Sequence, residues 1–197
     1  MILKKVFIIS LFSFLVCFLI SCNQPKKEKI IDVEINDKEH IENFTLSNTL
    51  YLLAPDFNSK DCEAFGECDC CTSNYLFLDN KTFIAVDYCL GVDTYYSGKY
   101  NITDGKVQLK YNTTIVQKEY NWESETDTIN KHPKYFYKTE NCKSFENFWK
   151  KLDCKGKVYF KNIDQQTQYA TIDKTQTAKS FLIKLKEEEI WKKLNIK

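Results

Sequence analysis

The chain has 197 residues, 28 basic and 27 acidic side chains, and no arginine. A near-neutral balance without the guanidinium fork supplies neither the field nor the geometry for gripping a polyanion, which speaks against nucleic acid as a partner. Five glycines leave no phosphate-cradling loop, and the two histidines, His40 and His132, are isolated, neither standing in a metal or triad setting.

Met1-Ile2-Leu3-Lys4-Lys5 is a basic start, Val6 to Ile20 is an apolar run, and the run closes on Leu19-Ile20-Ser21-Cys22. The apolar run falls short of the ~20 residues a helix needs to cross a bilayer, so residues 1–21 read as an export signal. A branched apolar residue, a small residue and then Cys resembles the lipobox of bacterial lipoproteins. The resemblance implies cleavage before Cys22, acylation of that thiol, and a membrane partner reached through the lipid. Cys17 follows bulky Val16 and is a poor cleavage site. Asn23 differs from the Asp that resembles an inner-membrane retention signal in enteric lipoproteins, so the expected location is the bacterial cell envelope, at the outer membrane.

Residues 22–43 are charged, with Pro25 among lysines and acids, and read as a lipid-anchored flexible tether. The alternation of Ile31, Val33 and Ile35 leaves an edge strand open as the other reading. Residues 44–197 form a single β-rich domain with a helical C-terminus. Thr49 to Ala54 is a buried strand stopped by Pro55. Asp56 to Ser73 is a loop dense in thiols and acids. Tyr75–Leu78 and Thr82–Tyr88 flank Asp79-Asn80-Lys81 as a hairpin. Cys89 to Tyr95 is a connection. Gly98–Ile102 turns through Asp104-Gly105 into Val107–Tyr111, and Asp-Gly between alternating runs is among the strongest hairpin signals.

Thr114 to Trp122 continues the alternation, Glu123 to Pro133 is a solvated loop, and Lys134–Lys138 is a short strand. Phe145, Phe148, Trp149 and Leu152 then stand at helical spacing behind Ser144, which predicts a short amphipathic helix bracketed by Cys142 and Cys154. Two more strands cover Lys157–Asn162 and Thr167–Ile172. From about Thr175 the spacing of Ala178, Phe181, Leu182 and Leu185, with acids before bases further on, predicts a helix open to a break near Lys186. A strand over Phe181–Leu185 is the alternative.

From Cys68 to Tyr111 the chain resembles the lipocalin-like barrels of bacterial lipoproteins, including the copper-resistance and envelope-stress lipoproteins. The shared features are Cys68 and Cys71 at C-x-x-C spacing, Thr82-Phe83, Gly98-x-Tyr100-x-Ile102, Asp104-Gly105 and Val107-x-Leu109. Cys70 inside the pair and the helical tail depart from that pattern. The resemblance implies a small antiparallel barrel that binds or senses something at the envelope, and with the spacing of the residues the expected fold is mainly β, a lipocalin-like barrel or meander with a short helix and a C-terminal helix.

Seven cysteines follow Cys22: Cys62, Cys68, Cys70, Cys71, Cys89, Cys142 and Cys154. In an oxidising compartment most belong in disulfides, and an odd number leaves one over. Cys142 and Cys154 could close across the predicted helix. Cys62, Cys68, Cys70 and Cys71 could instead converge on copper or zinc. Redox catalysis is the weakest reading there, because Glu63, Glu67 and Asp69 would raise the thiol pKa values. No pattern calls for a cofactor or a catalytic residue. Three readings follow: a non-enzymatic module that binds a small ligand or an envelope protein, a metal-handling lipoprotein, and an envelope inhibitor or immunity protein.

Overall fold

The computed structural model describes residues 44–67, 72–126, 132–164 and 167–196. The leader, Cys22, the tether, His40, and Cys68, Cys70 and Cys71 lie outside the described residues.

Period-two apolar runs build the strands β1 (Thr49–Ala54), β4 (Thr72–Phe77), β5 (Thr82–Cys89), β6 (Val92–Thr103), β7 (Lys106–Tyr120), β9 (Glu146–Cys154), β10 (Lys157–Asn162) and β11 (Gln168–Ile172). In the order β6-β5-β4-β1-β11-β10-β9-β7, with β6 also paired to β7, they close an antiparallel eight-stranded barrel. Two insertions interrupt an otherwise plain up-and-down meander. A small hairpin of β2 (Asp56–Asn58) and β3 (Glu63–Phe65) separates β1 from β4, and β8 (Tyr135–Asn141) separates β7 from β9. Strand β7 is therefore shared. Its first part, Lys106–Lys110, pairs with β9, and its second, Thr114–Tyr120, pairs with β8, while β6 runs along its other edge.

The Asp104-Gly105 turn holds, with both residues at positive φ and Thr103 opposite Lys106. The connection expected over Cys89–Tyr95 is only Leu90-Gly91, at φ 33° and 82°, joining Cys89 directly to its partner Val92. A leucine stands where such a turn favours Asn or Asp, so the usual hairpin signature is missing. The thiol-rich loop contains the β2–β3 hairpin. The acidic loop begins with one helical turn, α1 (Glu123–Thr126).

The helix expected behind Ser144 is β9 instead. Asn147 and Trp149 are buried on one face and β9 pairs with both β7 and β10, so the barrel uses this segment to close. A polar Asn at an inward position spoiled the apolar alternation and left the helical template as the better match. The proposed Cys142–Cys154 bridge falls with it, because nine extended residues span roughly 30 Å. Cys154 is joined to Cys62, 92 residues away, and Cys142 is a free thiol. The bridge pins the β2–β3 hairpin against the outside of the barrel, where Phe57 stacks on Tyr159 at 4.4 Å and the Ala64 N–H donates to Thr171 Oγ1 at 3.1 Å.

The C-terminal helix forms as α2 (Ala178–Glu187), capped by a reciprocal Thr177–Ser180 box, and breaks before α3 (Ile190–Lys193) at Glu189, which has φ 56°. Its buried Phe181 and Leu185, with Ile190 and Leu194, pack on the outward residues Leu50, Leu76, Ile84 and Val116. Asp173 anchors the approach. Its carboxylate accepts from the Thr175 N–H and hydroxyl and from Asn74 Nδ2, each at 2.7 Å, and from Gln176. Burial acts to raise its pKa, but these donors outweigh it and hold the carboxyl below its ordinary value.

Two outcomes follow from these anchors. Replacing both Cys62 and Cys154 with Ser is expected to lower unfolding free energy by about 4 kcal/mol, read from urea denaturation, because a long loop is released in the unfolded chain. Asp173→Ala should cost about 2 kcal/mol near neutrality. Because the folded pKa is depressed, that stabilisation is complete above the unfolded carboxylate range and fades as pH falls through the folded value. Melts of the two proteins should converge in acid.

Candidate functional site

Closing the sheet sends alternate side chains inward, and along the barrel axis their chemistry changes. At one end the interior is packed with Leu46, Phe77, Tyr100, Val107, Trp149 and Phe160, with Trp149 fully buried. The rings meet edge-on or tilted, as in Phe77–Tyr100 at 5.0 Å and Trp149–Phe160 at 6.1 Å. The other end, built from the starts of β4, β6, β9 and β11 and the ends of β1, β5 and β10, holds a cavity of about 460 Å³. A volume of this size falls within the range of small-molecule sites.

Tyrosines form the boundary between the two ends. Tyr75 from β4 and Tyr111 from β7 are buried, and their hydroxyls hydrogen-bond at 2.8 Å, while Asn147 Nδ2 donates to the Tyr111 oxygen at 3.4 Å. Above them Asp87, from β5, faces the hydroxyls of Ser73 and Tyr96, whose donors favour its charged form. Asn162 and Gln168 from β10 and β11 complete the polar wall.

One wall is aromatic. Phe145 stacks on Tyr111 at 4.0 Å with the planes 16° apart, and Tyr96 meets both rings edge-on at 5.8 and 6.2 Å. The segment between β8 and β9 is held there by backbone bonds, Cys142 N–H to Thr113 O and Tyr111 N–H to Phe145 O, and by Ser144 Oγ donating to Tyr111 O at 2.7 Å.

Burial shifts the titrating groups. Burial raises the Asp87 carboxyl, and the donors Ser73 and Tyr96 offset only part of that. Burial and then the Asp87 charge push the Tyr96 hydroxyl up to about 12, and burial holds Tyr75 and Tyr111 well above the usual phenol value. All three are neutral donors and acceptors at physiological pH. Among the described residues lining the cavity, Asp87 is the one carboxylate, and no lysine or histidine joins it.

The sequence-level candidates are mostly elsewhere. Cys62 and Cys154 bond each other on the outside of the barrel, which removes the Cys62 sulfur from the metal set proposed with Cys68, Cys70 and Cys71. Cys89 is disulfide-bonded and lies at the cavity's rim. Sequence reasoning missed Ser73, Asp87, Tyr96, Asn147 and Asn162. One signal was available: each of these polar residues falls on the inward face of its strand and towards the same end of the barrel, as in Phe83-Ala85-Asp87 and Phe160-Asn162.

No family model matches the chain, and neither does any of the curated proteins it was compared with. A crystal structure of a streptavidin-like protein from Bacteroides eggerthii DSM 20697 superposes with a TM-score of 0.51, covering 72% of this chain and 88% of that one at 13% identity. In fold, the chain is similar to a streptavidin-like barrel. At that identity the likeness concerns the path of the backbone alone.

The half-buried Asp87 carboxylate bears on stability. A folded-state pKa above the unfolded one means that Asp87 favours folding most below the unfolded value, and that this is lost as pH rises through the folded value. Asp87→Asn, which keeps an acceptor for Ser73 and Tyr96, is therefore expected to raise the thermal midpoint at pH 7. The gain over the parent should shrink as the pH is lowered into the carboxylate range.

Proposed function

We propose that this chain is a lipid-anchored protein of the bacterial envelope that binds a small molecule in the polar end of its barrel and does no chemistry on it. The observation that carries this reading is the convergence of Ser73, Asp87, Tyr96, Tyr111, Asn147 and Asn162, from six different strands, on one cavity of about 460 Å³ backed by a packed aromatic core. An eight-stranded barrel has room either for side chains throughout or for one small ligand, and this interior divides its length between the two. Pre-placed polar groups over a rigid floor suit binding, because little ordering remains to be done when a ligand arrives.

The export half of the reading rests on Leu19-Ile20-Ser21-Cys22. The disulfides at Cys62–Cys154 and at Cys89 support it, since such bonds persist in oxidising compartments. The acylated Cys22 would tie the barrel to the outer membrane through residues 22–43. Binding without catalysis accords with the lining: Cys89 is held in a disulfide, and Asp87 has no basic side chain beside it among the described lining residues to form an acid–base pair.

Mass spectrometry of the full protein purified from its own envelope tests both halves. Denatured, the chain is expected to begin at Cys22 and carry acyl chains such as palmitate. Under native conditions it should retain a small non-covalent adduct that Ser73→Trp, which fills the cavity, abolishes without unfolding the barrel. An intact leader would overturn the anchoring, and an adduct that survives Ser73→Trp would overturn the site.

A further inference from the structure

On the reading that the cavity holds a small molecule, we infer that the molecule is an organic cation: an ammonium nitrogen that meets Asp87, carrying an apolar group that lies against Tyr111 and Phe145. The inference depends on the small-ligand reading and narrows it to one class of charge.

Three features converge on this. The first is the charge of the lining. Among the described lining residues Asp87 is the one carboxylate and no lysine or histidine stands beside it, and the chain has no arginine that could enter as a counter-ion. An anion would face that carboxylate in a poorly solvated space with no compensating cation, an arrangement that like charges strongly disfavour.

The second is hydrogen-bond capacity. A carboxylate has about four acceptor sites and no donor, and the hydroxyls of Ser73 and Tyr96 are the neighbours that favour its charged form. Acceptor sites on Asp87 therefore remain for a ligand, above the Tyr75–Tyr111 hydroxyl pair. The open acceptor sites of this carboxylate suit an ammonium, which brings three donors and no acceptor.

The third is the aromatic wall. The stacked Tyr111–Phe145 pair with Tyr96 edge-on offers ring faces within one cavity, and ring faces attract a desolvated cation while covering its apolar substituent.

The groups facing Asp87 make its ionisation the controlling titration. Tyr75 on β4, Tyr96 on β6 and Tyr111 on β7 stay protonated, Cys89 on β5 is held in a disulfide, and β1, β9, β10 and β11 contribute Leu53, Asn147, Asn162 and Gln168, which do not titrate. Cys142, on the segment that follows β8, acts on Tyr96 and not directly on Asp87.

Three probes of similar shape and different charge decide the matter: 2-phenylethylammonium, 2-phenylethanol and 3-phenylpropionate, titrated into the full exported chain and followed by backbone amide NMR. The ammonium is expected to bind at least about tenfold more tightly than the alcohol, with the carboxylate weakest. Its affinity should fall as pH is lowered through the Asp87 titration. In Asp87→Asn, checked for an undiminished thermal midpoint, ammonium and alcohol should bind alike. An alcohol or carboxylate that matches the ammonium, or a preference that survives in Asp87→Asn, would overturn the cation inference and leave the small-ligand reading standing. If none of the three shifts the amides of Ser73, Asn147 and Asn162, the small-ligand reading fails and the inference fails with it.

Discussion

The pairing of the first barrel strand with the last holds the molecule's other features in place. Tyr51 to Ala54 of β1 lie opposite Ile172 to Tyr169 of β11, and with that ladder made the sheet has no open edge around its ring. Closure has a second effect. It turns alternation along each strand into a division between inside and outside, so Leu53 and Ala170 enter one core while Leu50 joins the other. The two cores share strands and differ in cover, the inner one sealed by the barrel itself and the outer one by the C-terminal helices.

Within the closed ring, position along the axis sorts side chains by polarity. Interlocked rings at one end do the work of a hydrophobic core, and their dense packing leaves the other end free to carry groups that would weaken a core. Asp87 illustrates the trade. Its charge sits where burial opposes it, a local disadvantage that the surrounding apolar contacts can absorb. The same division lets the tyrosines serve both ends, with ring bodies packed against Trp149 and Phe83 and hydroxyls turned to the polar layer.

Much of the sheet was legible from sequence because its inward positions are apolar. Tyr75 and Phe77, Phe83 and Ala85, Tyr100 and Ile102, and Val107 and Leu109 each keep one face, and the strand assignments there follow directly. The segment 146–154 was not legible, because Asn147 occupies an inward position and four apolar residues happen to match a helical period. Cysteine pairing was hidden for a different reason: Cys62 and Cys154 stand 92 residues apart and are brought together by the β2–β3 hairpin lying on the outside of the barrel. The candidate site was the least visible part. Its residues are the polar interruptions of apolar patterns, scattered from Ser73 to Gln168, and only the closed ring brings them to one place.

The divided pairing of β7 has a structural corollary. Because this strand gives up β9 after Lys110 and takes β8 from Thr114, the chain returning from β8 has to cross the junction next to Tyr111, and that crossing delivers Phe145 onto the tyrosine ring. A simple hairpin from β7 to β9 would place no residue there. The excursion through β8 thus supplies the aromatic side of the cavity from outside the ring, while the ladders that close the barrel run between other strands.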